Sequence, residues 1–229
     1  MDTVVSVNRL NDVYAEIDSN EFFALKELVE YFTFKVPGAE FMPTYRNKVW
    51  DGKIRLLNPN SRKLYLGLVP LVEKFCSSNN YKFEYPNSYP KIPISSKELE
   101  SFTKLVNPHS GGKPIGYRDY QIDAIKSSIN KERILLVSPT ASGKSLIIYS
   151  LVRFYNMHPN VKGKQILIIV PTTSLVEQMY GDFKDYGWDV ERYCHKIYQG
   201  QDKRTNKKVV ISTWQSIYKM GREYFDQFG

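Results

Sequence analysis

Apolar side chains recur at three- and four-residue spacing through residues 21–34, where Phe22, Leu25, Leu28, Val29 and Phe32 fall on one face of an expected helix. Ser19 or Asn20 stands where an N-cap belongs, and Pro37-Gly38 stops the run. A second helix is expected over residues 68–77. Between the two, residues 44–57 read as two strand-like runs about Asp51-Gly52, a dipeptide suited to the two-residue turn of a hairpin. Residues 81–95 are rich in Tyr and Pro, which predicts an edge strand or an extended connection.

The pattern changes after Asn107-Pro108-His109-Ser110-Gly111-Gly112-Lys113-Pro114, a concentration of turn formers. Helical and short apolar runs then alternate. Ile122, Ile125 and Ile129 line one face of residues 121–130, and Ile134-Leu135-Leu136-Val137 reads as a strand buried on both sides. A helix over 145–155 precedes a strand over 166–170, and a helix over 174–184 precedes a strand over 209–211. Strands separated by helices imply right-handed crossovers and a parallel sheet. The expected class is therefore α/β: a small α+β N-terminal domain (residues 1–106), a linker (107–116), and a P-loop domain with a parallel sheet covered by helices (117–229).

At 229 residues the chain has room for two domains, and 42% hydrophobic residues suffice for packed cores. No run approaches the roughly 20 apolar residues of a membrane span, and the N-terminus has no signal-type apolar region, so a soluble cytoplasmic protein is expected. Cys76 and Cys194 are far apart and lack zinc-type spacing, so neither a disulfide nor a metal cage is expected. The net charge of +8 is unevenly spread. Residues 1–44 hold three Lys/Arg against eight Asp/Glu, whereas residues 45–63 hold six Lys/Arg against Asp51 alone. Residues 196–208 form a second basic run. Clustered cations suit a phosphate backbone, because each neutralised phosphate releases condensed counterions. The expected nucleic-acid contact in the first domain is Arg46, Lys48, Lys53 and Arg55 on the two strands of the hairpin, with Trp50 packing beside them.

Ser138-Pro139-Thr140-Ala141-Ser142-Gly143-Lys144-Ser145 follows a predicted strand and opens a predicted helix, the setting a phosphate-binding loop requires. Backbone N–H groups at the helix start face the phosphates, Lys144 adds a point charge and is the expected catalytic residue, and the Ser145 hydroxyl can ligand Mg2+. Ser138 stands where G-x-x-x-x-G-K-[ST] has its first glycine.

That departure points to a family, because residues 139–145 resemble motif I of the superfamily 2 helicases, commonly Pro-Thr-Gly-Ser-Gly-Lys-Thr. Arg118-Asp119-Tyr120-Gln121 resembles the family's Arg-x-Tyr-Gln motif, which implies that Arg118 and Gln121 hold the adenine. Val170-Pro171-Thr172-Thr173-Ser174 is similar to motif Ia, and Thr213-Trp214-Gln215 to the later Thr-x-Gln segment. Pro171, Thr172, Ser174, Thr213 and Gln215 are thereby implied as strand contacts. The resemblance makes the second domain a partial RecA-like domain, with ATP and Mg2+ as cofactors. The whole chain resembles those members that remodel branched DNA and RNA–DNA hybrids, which implies branched or single-stranded DNA and RNA–DNA hybrid as partners. No Asp-Glu pair of motif II is present. The expectation is thus an ATP-dependent helicase read as a fragment ending before motif II and inactive alone. A nucleic-acid-binding module whose P-loop does not turn over ATP is the alternative.

Overall fold

The computed structural model describes residues 2–11, 13–86, 93–131, 133–158 and 164–228. It divides into two compact units, 1–90 and 91–229. Among the described residues, no helix is long and apolar enough to cross a membrane.

In the first unit β1 (Val4–Arg9), β2 (Tyr14–Ser19), α1 (Phe22–Tyr31), β3 (Thr33–Lys35), α2 (Pro43–Arg46), β4 (Lys53–Arg55), β5 (Lys63–Tyr65), α3 (Val69–Ser78) and β6 (Lys82–Glu84) follow in order. The main sheet runs β5-β2-β1-β6, with β6 parallel to β1 and the other pairs antiparallel. Val5, Val7, Ala15 and Ile17 alternate into its buried face, where Ala24 and Leu28 of α1 and Val72 and Cys76 of α3 meet them. The sequence reading assigned no strand to β1 or β2, although their period-two alternation was there to read. Helix α1 ends earlier than expected. Thr33 donates its hydroxyl to the Val29 carbonyl at 2.5 Å, and the chain then turns into β3.

The expected hairpin at residues 45–57 does not form. Arg46 closes the short helix α2, Lys48 adopts φ +57°, and only Lys53–Arg55 is a strand. Its partner is β3, with Thr33 opposite Arg55, Phe34 opposite Ile54 and Lys35 opposite Lys53. Gly52 is left-handed at φ +74°, but Asp51 lacks the left-handed φ that a two-residue Asp-Gly hairpin turn would require, and the residues before it form a turn after α2. Pro43 sits in the first turn of α2 and favours the helix start, a signal that outweighs the strand propensity of the residues after it.

The second unit contains α4 (Ser96–Val106), β7 (His109–Ser110), β8 (Lys113–Pro114), α5 (Asp119–Asn130), α6 (Lys144–Met157), β9 (Ile166–Val170), α7 (Thr173–Asp185), α8 (Val190–Tyr193), β10 (Cys194–Ile197), β11 (Val209–Thr213), α9 (Trp214–Ile217) and α10 (Arg222–Phe225). Its parallel sheet is ordered β10-β11-β9. Both faces are covered. Val209 and Ile211 enter the core shared with α5, α6 and α7, while Val210 meets Ile217 and Tyr224 on the other side.

Two sequence expectations are displaced here. The boundary was placed at residues 107–116, yet α4 contributes Leu99, Phe102 and Val106 to the core of the second unit. A capping box starts this helix: Ser95 accepts from the Glu98 N–H at 3.2 Å while Glu98 accepts from the Ser95 N–H at 2.8 Å. The turn formers at 107–116 make no linker. They fold β7 and β8 into a small hairpin, tied by Ser110 and the Gly111 N–H to the Asp185 carboxylate at 2.9 Å each.

The second displacement concerns Ile134–Val137, expected as a buried strand. Among the described residues it has no ladder partner, and Leu135 and Val137 are 87% and 91% exposed. An apolar run becomes a sheet strand only when a neighbour accepts its backbone hydrogen bonds, and among the described residues β9, an outer strand of this sheet, pairs with β11 alone.

Leu99 is 1% exposed, so Leu99→Ala should lower the stability of the second unit by about 2–5 kcal/mol. Thermal unfolding followed by hydrogen exchange checks this: protection should fall in α5 and α6 while β1 and β2 keep theirs. Loss confined to the first unit would restore the boundary at 107.

Candidate nucleotide and nucleic-acid sites

Helix α6 begins at Lys144 directly after a tight turn, and its first N–H groups lie where an anion is favoured. Two left-handed residues make the turn, Ala141 at φ +61° and Gly143 at φ +79°. A side chain at position 143 would force the Gln121 amide to move, since its Cβ would stand 2.4 Å from Gln121 Nε2. The motif's alanine at 141 is the costlier residue, because a Cβ disfavours the left-handed region.

Gln121 lies on the first turn of α5 and is buried. Its Nε2 donates to the Ser142 carbonyl at 3.0 Å, and its Oε1 accepts the Arg118 N–H at 2.9 Å. The Tyr120 hydroxyl also donates to the Ser142 carbonyl at 2.8 Å and receives Arg118 Nη1 at 3.0 Å. Gln121 therefore braces the loop, and the polar ends of its amide are engaged within the protein. Tyr120 joins the same network, a role that sequence reasoning missed although the residue lies inside the motif. The hydroxyls of Ser138 and Ser142 are hydrogen-bonded to each other across the turn.

Lys144 extends its ammonium back over the loop, donating to the carbonyls of Pro139 at 2.7 Å and Ser138 at 3.2 Å. Thr140 and Ala141 form the exposed tip. Beside the loop is a cavity of about 570 Å³ whose walls include Ile115, Arg118, Gln121, Gly143 and Tyr186. Tyr186, the cap residue after α7, was not singled out from sequence because no motif contains it. Burial pushes its phenol up to about 12, against the opposing effect of the nearby Ser145 hydroxyl. The donor set suits a nucleotide: backbone N–H groups and Lys144 for phosphates, Ser145 for a divalent cation, and a hollow of mixed polar and apolar walls for a base.

Strands β9 and β11 are adjacent and in register, Val170 opposite Thr213, so motif Ia and the Thr-x-Gln segment leave the same carboxyl edge of the sheet. Crevices in α/β folds bind ligands at that edge. Pro171, Thr172 and Ser174 are exposed. Thr172 caps α7, accepting the Leu175 N–H at 3.3 Å, and its hydroxyl pairs with Ser174 at 2.9 Å. Thr213 differs from expectation. It is only 4% exposed and its hydroxyl is spent on Ser216 at 2.8 Å, which leaves Trp214 and Gln215 as the exposed groups.

In the first unit Arg46, Lys48, Lys53 and Arg55 are all exposed, but they do not form two alternating strand faces. Arg46, Lys48 and Arg55 border a shallow hollow with Tyr45, Trp50 and Asp51. Trp50 donates its indole N–H to the Lys53 carbonyl at 2.9 Å, and Arg46 Nε donates to the Glu40 carbonyl at 3.2 Å. Arg55 makes a two-pronged ion pair with Asp51, which holds the Asp51 carboxyl below the usual range. In the second basic run, Lys196 is bound to Glu177 of α7 at 2.8 Å and lies over the Tyr180 ring, so its charge serves the fold.

Replacing Gly143 by Ala would impose the left-handed cost and displace the Gln121 amide. Gly143→Ala should therefore destabilise the second unit by about 1–3 kcal/mol and weaken nucleotide binding. Melting curves with and without ATP check this, and an unchanged ATP-induced shift would count against the brace.

Both units match known families. The family described as DNA helicase UvsW, N-terminal, matches residues 2–85, and the family described as Type III restriction enzyme, res subunit, matches residues 114–228. The ATP-dependent DNA helicase uvsW of Enterobacteria phage T4 is 38% identical over 234 residues, spanning 100% of this chain and 45% of the relative. Two crystal structures of UvsW from bacteriophage T4 superimpose with TM-scores of 0.84 and 0.85 at 36% identity. They cover 100% of this chain and 80% and 46% of the respective solved chains. The chain thus spans less than half the length of the curated phage relative. With a braced P-loop, a parallel sheet and these matches across both units, the chain belongs to the UvsW-like helicases of superfamily 2.

Proposed function

We propose that this protein works as an ATP-driven helicase or translocase on branched or single-stranded DNA and on RNA–DNA hybrids. The observation that carries the reading is the Lys144-Ser145 pair at the start of α6, behind a left-handed turn braced by Gln121. Bound ATP would supply the free energy of hydrolysis, with Mg2+ as countercharge to its phosphates. Lys144 would exchange two loop carbonyls for phosphate oxygens, Ser145 would ligand the cation, and Arg118 and Tyr186 would border the base. Thr172, Ser174 and Gln215, at the carboxyl edge of the sheet, would hold the nucleic-acid backbone through hydroxyl, amide and helix N–H donors. In the first unit Arg46, Lys48 and Lys53 would supply sequence-independent phosphate contacts, with a smaller share from Arg55 because Asp51 already neutralises it. A nucleic-acid-binding module whose P-loop does not turn over ATP is the second reading, and DNA-stimulated ATP turnover separates the two.

Lys144→Ala should weaken nucleotide binding on the order of tenfold or more, the cost of a charge-assisted hydrogen bond, and leave nucleotide-free DNA binding intact. Titration with a fluorescent ATP analogue and with labelled DNA checks both halves, and unchanged nucleotide affinity would remove the P-loop assignment. Joint replacement of Arg46, Lys48, Lys53 and Arg55 by Gln should flatten the salt dependence of DNA affinity equally for unrelated sequences. An unchanged slope in the folded variant would shift the contact to residues 196–208.

A further inference from the structure

We propose that Lys35 and Lys53 form a two-pronged seat for one backbone phosphate of the nucleic acid. The inference rests on the reading of the first unit as a DNA contact, and it adds a residue, Lys35, which lies in the acidic part of the sequence. The pairing of β3 with β4 sets Lys35 directly opposite Lys53. Opposed residues of an antiparallel pair project from the same face, and like charges so placed destabilise the ribbon. This ribbon is only three residues long on each strand, so it has little pairing with which to absorb that cost.

Asp51 is close enough to act on Lys53 electrostatically, but its carboxylate is engaged by Arg55, so it relieves the repulsion only in part. Among the described residues neither lysine has an ion-pair partner, whereas the adjacent Arg55 has Asp51. Both ammonium-bearing chains are exposed and border a hollow of about 400 Å³, with Val29, Glu30, Thr33 and Arg55 as its other walls. Glu30 reaches neither lysine within ion-pair distance among the described residues. A phosphodiester carries one negative charge and exposed acceptor oxygens, so it can take hydrogen bonds from both ammonium groups and turn their repulsion into shared attraction. Such a contact reads charge and spacing and no base, in keeping with an enzyme that acts on DNA irrespective of sequence.

The test uses the full 229-residue chain, two labelled duplexes of unrelated sequence, and anisotropy titrations between about 50 and 200 mM salt. Lys35→Gln and Lys53→Gln should each reduce the log–log salt slope, and the double variant should reduce it by about 0.9 in all because one phosphate is shared, which makes the loss of affinity across that range about 3.5-fold smaller. Arg55→Gln should change it much less. Lys35→Arg should retain the wild-type slope. The melting temperature of Lys35→Gln should stay level or rise, since a repulsion is removed. A wild-type slope for Lys35→Gln beside a reduced one for Lys53→Gln would overturn the shared seat and leave the DNA contact of the unit standing. A wild-type slope in both, and in the joint Arg46, Lys48, Lys53 and Arg55 variant, would overturn that broader reading as well. A lowered melting temperature for Lys35→Gln with unchanged binding would assign Lys35 to the fold and overturn the proposal.

Discussion

Gln121 occupies the space that a side chain at position 143 would need, and much of the nucleotide site follows from that contact. Its amide nitrogen holds the Ser142 carbonyl while its oxygen caps the first turn of α5. One side chain thereby fixes the loop to the helix before it, and the left-handed Gly143 can deliver the chain into α6 with its first N–H groups facing outward. Tyr120 doubles the bond to the same carbonyl. With the loop held from behind, Lys144 is left free to trade backbone carbonyls for a ligand.

The same economy of placement governs the sheet. Because β9 and β11 are parallel and in register, two polar segments far apart in sequence emerge at one edge. Thr172 and Thr213 nevertheless fare differently. The first remains exposed as a helix cap, and the second is enclosed by the turn of α9 and satisfied by Ser216. A hydroxyl in a motif is therefore available only where the local helix start leaves it uncovered.

Charge in the first unit is organised by pairing more than by abundance. Asp51 takes up Arg55, so the densest stretch of positive sequence contributes less free charge than its composition suggests. The opposed lysines of β3 and β4 contribute more, because among the described residues no carboxylate forms an ion pair with either and their repulsion can be relieved by an incoming anion.

Sequence alone determined the features that rest on local chemistry. The helices α1, α3, α5, α6 and α7, the apolar runs of β9 and β11 and the Gly-Lys-Ser turn were legible, because helical periodicity, strand composition and loop chemistry act over a few residues, although Phe22 of the face read for α1 is exposed. Two local signals were present but passed over: the Ser95 and Glu98 capping box, and the alternation of β1 and β2. Tertiary structure decided the rest. The partner of Lys53–Arg55 is Thr33–Lys35 and not its near neighbour, and Ile134–Val137 lacks a described strand to pair with despite its composition. Leu99, Phe102 and Val106 join the second core across the turn-rich segment that looked like a border. Strand pairing and core membership are settled by which surfaces meet, and neither a hydrogen-bond ladder nor a shared core is written in the residues of one segment.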